Sequence, residues 1–123
     1  MTPLTAHPTE IRAPLLALHK SLVDAERREY ERQHGRLENA EFLKVLMEGP
    51  QFAWLKPLTA LIVRLDEALE EDGQGAAAAL EQLRLLLVPR GEGSPFQRRY
   101  AEVLQLSPDA LVDHGRTLRA LAA

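Results

Sequence analysis

The stretch Ala13–His34, APLLALHKSLVDAERREYERQH, decides the fold. Pro14 suits an early helical position, where the N–H it lacks has no intrahelical acceptor, and Gly35 suits the left-handed residue that ends a helix. No glycine or proline interrupts the run between them. The spacing predicts one long helix over 13–34. At 3.6 residues per turn, Glu26 falls about 20° to one side of His19 and Tyr30 about 20° to the other. Leu15, Leu22 and Val23 lie within roughly 60° of the same line. A histidine, a carboxylate and a phenol therefore share the apolar side of the helix, against the usual amphipathic pattern. The expectation is one polar cluster of His19, Glu26 and Tyr30 on the inner side. Glu26 and His19 are about 10 Å apart along the axis, too far for a direct bond. Glu26 then needs a donor from Tyr30 or from an arginine on another helix. Such a cluster either satisfies buried polar groups or holds a ligand or partner.

Working outward, glycines and prolines divide the rest of the chain into helical segments. Asn39 is an expected N-cap for a short helix ending at Gly49-Pro50. Pro50 to Leu55 reads as a separate turn presenting Phe52 and Trp54. Pro57 opens a helix carrying Leu58, Leu61, Ile62, Leu65 and Leu69 at i, i+3, i+4 and i+7 spacing. Gly73 and Gly75 break the chain again. A fourth helix is expected over 76–88, with Leu80, Leu83, Leu86 and Leu87 inward. Ser94-Pro95 opens a fifth, with Ser94 and Gln97 at capping-box spacing. Ser107-Pro108 opens a sixth that reaches the C-terminus. No segment alternates with period two, so strands are not expected. The fold class is all-α: an antiparallel helical bundle of four principal helices plus short extra helices, in one domain over residues 1–123. Residues 1–10 are expected to be a poorly ordered N-terminal segment.

Composition narrows the function classes. The chain of 123 residues has no cysteine, which excludes disulfides, thiolate metal sites and cysteine nucleophiles. It carries 15 basic and 18 acidic residues, a net charge of −3, without the basic face of a nucleic-acid binder. No apolar run has the length of a membrane span, and the first ten residues lack the basic and apolar regions of a secretory signal. No nucleic acid, no membrane and a cytoplasmic location are the expectations.

Three further residues are candidate contacts for a ligand or partner. His114 stands within the apolar stripe Leu111, Leu118, Leu121, beside Gly115, where a second backbone could approach closely. His34 ends the first helix and forms a single Glu-x-x-His with Glu31, whereas carboxylate-bridged iron sites need two. Trp54 is either a plug for one end of the bundle or an interface anchor. With no paired helical ligands, neither metal nor cofactor is expected. Ser94 and Ser107 read as helix caps, so no serine nucleophile is evident. Glu70 to Asp72 beside Gly73 argues against a phosphate loop there.

Two resemblances follow from the residues. Thr5–Glu10, TAHPTE, is similar to the histidine motif of phosphoenolpyruvate carboxylases, in which the histidine serves carboxyl transfer; the matching position is His7. Those enzymes are many times longer, and their metal-binding and arginine-rich segments have no counterpart here, so no carboxylation is expected. Leu18-His19-Lys20, Glu26 to Tyr30, His34-Gly35, Phe52 to Leu55, Leu58 to Asp66, Phe96 to Tyr100 and Ser107-Pro108-Asp109 with His114 together resemble a family of small hypothetical bacterial proteins. That resemblance implies a bacterial, cytoplasmic, helical protein and no assigned activity. The leading functional expectation is a noncatalytic helical module that binds a protein partner or itself. The alternative is a small-ligand or metal-binding bundle built on His19, Glu26 and Tyr30.

Overall fold

The computed structural model describes residues 8–71 and 73–122. Six α-helices form: α1 Pro8–His34, α2 Asn39–Glu48, α3 Lys56–Glu70, α4 Ala76–Leu86, α5 Pro95–Leu106 and α6 Pro108–Ala122. A 3₁₀ turn, Pro50–Leu55, runs directly into α3. There is no strand among the described residues, and the protein is all-α.

The long first helix begins five residues before the expected Ala13. Residues 8–10 therefore belong to α1, while 1–7, His7 included, lie outside the described residues. The reason is Ile11: its side chain is fully buried, one turn before buried Leu15, and that burial extends the helix through Pro14. The ring leaves one carbonyl without its i+4 donor. Thr117 Oγ1 donates to the Pro14 carbonyl at 3.1 Å and ties this turn to α6.

α1 is the centre of the fold. Ile11, Leu15, Leu18 and Leu22 form its buried stripe, and it packs against α3, α4, α5, α6 and the 3₁₀ turn. Leu58, Leu65, Leu83, Phe96, Tyr100 and Val103 close around it. Each such large side chain contributes roughly 1.5–3 kcal/mol of burial free energy. Two bonds set the direction of α3: His19 with Thr59 at 3.0 Å and Arg12 with Asp66 at 2.9 Å. Numbers fall along α1 as they rise along α3, so the two run antiparallel. Ser21 with Asp113 at 2.5 Å, and Pro14 with Thr117, make α6 antiparallel to α1 on the same reasoning.

The caps follow the sequence with one exception. Ser94 and Gln97 form a complete capping box, and the Ser107 hydroxyl accepts from the Ala110 N–H at 3.1 Å. Gly35 has φ +87°, the left-handed stop expected of it. Asn39, however, is the first residue of α2 rather than its cap. Its carboxamide accepts instead from Arg27, whose guanidinium also donates to the Leu37 carbonyl and sits 4.3 Å over the Phe42 ring. Arg27 thus fastens the α1–α2 connection. Helix α4 ends at Leu86, two residues before the expected Val88. Gly115 admits no neighbouring backbone: a Cβ there would meet only the Arg119 guanidinium, 3.8 Å away.

Candidate functional site

His19, Glu26 and Tyr30 do not form one cluster; each turns to a different neighbour. The buried stripe of α1 is centred on Leu15, Leu18 and Leu22. Glu26 continues that stripe one turn on and is 1% exposed. Of the two donors that the sequence offered, Tyr30 or an arginine from another helix, the partner is the arginine: Arg99 Nε donates to Oε1 at 2.5 Å, and Gln51 Nε2 donates to Oε2 at 3.1 Å. His19 stands about 100° around the helix from Leu18, on the side of α3. Tyr30, half-buried at the edge of the core, stacks on His34 with ring centroids 4.1 Å apart.

The Thr59 hydroxyl donates to the Leu55 carbonyl at 3.2 Å, so it receives a hydrogen bond from His19 Nε2–H. Burial lowers the His19 pKa and keeps the ring neutral. His19 and Thr59 sit on the wall of a groove of about 440 Å³ between α1, α2, the 3₁₀ turn and α3, with Leu46, Met47, Phe52 and Leu55 as its apolar surface. Met47 is 69% exposed, and Leu43, one turn earlier on the same face of α2, is 56% exposed. Lys56 also lines the groove and has no ion-pair partner among the described residues. The groove is an apolar trough with one polar pair and one free cation.

The remaining candidates lie elsewhere. His34 Nδ1 is 3.1 Å from the Tyr30 carbonyl. Glu31, its partner in the single Glu-x-x-His, faces the other way. Glu31 accepts from the Leu37 N–H at 2.8 Å, and that bond holds its carboxyl below the usual range. Together the two supply no metal site. Trp54 is half-buried against Phe96, ring centroids 5.4 Å apart, and its Nε1 is buried without a hydrogen-bond partner among the described residues. His114 Nδ1 meets the hydroxyl of Tyr100, which is wholly buried. Burial raises the Tyr100 pKa far above its ordinary value and lowers that of His114.

No group of three or more His, Asp or Glu suited to a metal occurs among the described residues. Ser21 donates to Asp113 with no histidine in that pair. No described helix is long and apolar enough to cross a membrane.

Arg99, Gln51, Thr59 and Met47 were absent from the sequence candidates. Arg99 had a readable signal, because in the pair Arg98-Arg99 only Arg99 lies three residues after Phe96, on the flank of the apolar face. Thr59 and Met47 had none, since their role depends on which helices meet. No family model matches the chain, nor does any curated protein or solved structure.

Proposed function

We propose that this chain is a noncatalytic helical module that docks an amphipathic helix of a partner protein in the groove between α1, α2 and α3. The observation that carries the reading is the exposure of Met47 on an apolar trough, with exposed Leu43 one turn away on the same face of α2. Large apolar side chains left in water at a concave surface mark interaction sites. Methionine suits such a surface because its flexible, polarisable side chain repacks around different partners. An incoming helix would seat residues at i, i+3, i+4 and i+7 in the trough. Lys56, free of an internal ion pair, favours acidic residues on the flank of that helix. The net charge of −3 supports a protein partner over nucleic acid. A chain without cysteine suits a reducing compartment, which supports a cytoplasmic location.

Met47 is the one methionine among the described residues, so its ε-methyl carbon is a reporter at the site. A designed peptide with leucines at i, i+3, i+4 and i+7 and glutamates on the flank should shift the ¹³C-methyl resonance of Met47 saturably. Met47→Glu, which removes that reporter, should abolish binding read from the anisotropy of the fluorescently labelled peptide, with an unchanged circular dichroism spectrum. No shift, or an equal shift from the scrambled peptide, would refute the reading. A shift of Met47 on concentrating the protein alone would identify a second copy as the occupant instead.

A further inference from the structure

A second concavity lies on another face of the fold, between the loop after α4, α5 and α6. It is an open concavity of about 590 Å³. Pro89, Ala101, Leu104 and Leu111 give it apolar walls, and Gln105 and His114 are its polar side chains. No Lys, Arg, Asp or Glu lines it. It shares no residue with the groove that holds His19 and Met47.

The pairing behind the wall determines what His114 offers. The Tyr100 side chain is wholly buried, and its hydroxyl has His114 Nδ1 as its hydrogen-bond partner among the described residues. A buried phenol proton without an acceptor is costly, so the hydroxyl donates and Nδ1 accepts. A neutral imidazole that accepts at Nδ1 carries its proton on Nε2. Nε2, across the ring from Tyr100, has no hydrogen-bond partner among the described residues and is the nitrogen left for the cavity that the ring lines. A phenol thus sets the tautomer of a histidine, and that histidine presents a fixed donor among apolar side chains. Hydrogen-bonded neighbours fix ring nitrogens in the same way at many functional histidines.

We propose that this cavity is a binding site for a small neutral molecule with an apolar body and a carbonyl oxygen, which accepts a hydrogen bond from His114 Nε2–H. The carbonyl answers the single fixed donor. The apolar body answers the walls. A carboxylate is disfavoured, because the site offers it one neutral donor and no cation. Tyr100 acts as a positioning residue through His114.

Acetophenone, ethylbenzene and benzoate separate these requirements on the native protein. They share a ring of similar size and differ in the acceptor and its charge. With ¹⁵N-labelled histidine at pH 7.5, long-range proton–nitrogen spectra should show His114 as the Nε2–H tautomer. Acetophenone should shift its resonances saturably, with ethylbenzene and benzoate each binding about tenfold more weakly. Ala101→Leu fills the cavity while leaving Tyr100 and His114 in place, and should remove the acetophenone response. The proposal fails if His114 is the Nδ1–H tautomer, if acetophenone gives no saturable shift, or if ethylbenzene or benzoate binds as tightly. It fails equally if Ala101→Leu leaves acetophenone binding intact. The Met47 methyl resonance should stay still throughout, so the outcome is independent of the helix-docking groove.

Discussion

Glu26 and Arg99 form a buried ion pair that joins the middle of α1 to α5, Nε to Oε1 at 2.5 Å. The carboxylate is removed from water, while the guanidinium side chain keeps 28% of its exposure and also reaches Glu102. Such a pair is costly to break from one side, since the abandoned charge stays buried. It is far less costly to replace as a whole.

Arg99→Ala should therefore lower the unfolding free energy by about 3–5 kcal/mol, because Glu26 would keep only Gln51 as a partner among the described residues. The double variant Glu26→Leu with Arg99→Leu should recover most of that loss. Urea denaturation of the wild type, the single and the double variant measures both effects. A single variant as stable as the wild type would show that the pair carries no weight.

Tyr30→Phe should change stability by less than about 0.5 kcal/mol. Its hydroxyl has no hydrogen bond among the described residues, and its ring packs on His34 and lies 6.0 Å from Phe52, contacts that phenylalanine retains. Tyr100→Phe should behave differently and cost about 1–3 kcal/mol, because it leaves His114 Nδ1 without its donor. The two variants differ from the wild type by the same single oxygen, so thermal unfolding in parallel isolates the effect of its partner.

The contrast between the two tyrosines marks where the sequence is informative. Helix positions, the Ser94 capping box and the stop at Gly35 depend on residues a few places apart, and periodicity and cap chemistry reach that far. The need of Glu26 for a donor, Tyr30 or an arginine from another helix, was also legible, because a carboxylate on an apolar stripe must be neutralised or paired. Tyr30 lay at the right angle for the core but so far along α1 that it packs only against the edge of it. Angular position does not report where a helix leaves the core. The meeting of Tyr100 with His114, and of His19 with Thr59, depends on helix packing, for which one sequence holds no local signal.

Acid should destabilise the fold through its buried imidazoles. Burial lowers the pKa of both His19 and His114 from the ordinary value of 6.5. A group whose folded pKa lies below its unfolded pKa takes up its proton more readily when unfolded. The stability that the neutral rings contribute is thus fully present above pH 6.5 and falls as pH drops through and below that value. For His114, protonation also puts a second N–H against Tyr100 and leaves the phenol without its acceptor. The melting temperature should fall between pH 7.5 and pH 5.5, and His114→Gln should flatten the slope. A melting temperature that rises on acidification over this range would contradict the assignment of neutral rings.

Two glycines should respond to alanine in opposite directions, although both stand where the sequence suggested a structural need for glycine. Gly35 closes α1 with φ +87°, and its N–H donates to the Glu31 carbonyl at 2.8 Å. The left-handed backbone strains any residue with a Cβ by about 1 kcal/mol or more, even with no atom within 4 Å of the added carbon. Gly35→Ala should lose about that much stability. Gly115 lies within α6 in ordinary helical backbone. An added Cβ there would meet only the end of the flexible Arg119 side chain, at 3.8 Å. Within a helix, alanine is favoured over glycine by about 0.5–1 kcal/mol, largely because it loses less backbone freedom on folding. Gly115→Ala should therefore raise the melting temperature. If instead it lowers that temperature only at high protein concentration, another molecule approaches α6 closely at this position. Melting curves of both variants at two protein concentrations distinguish these outcomes.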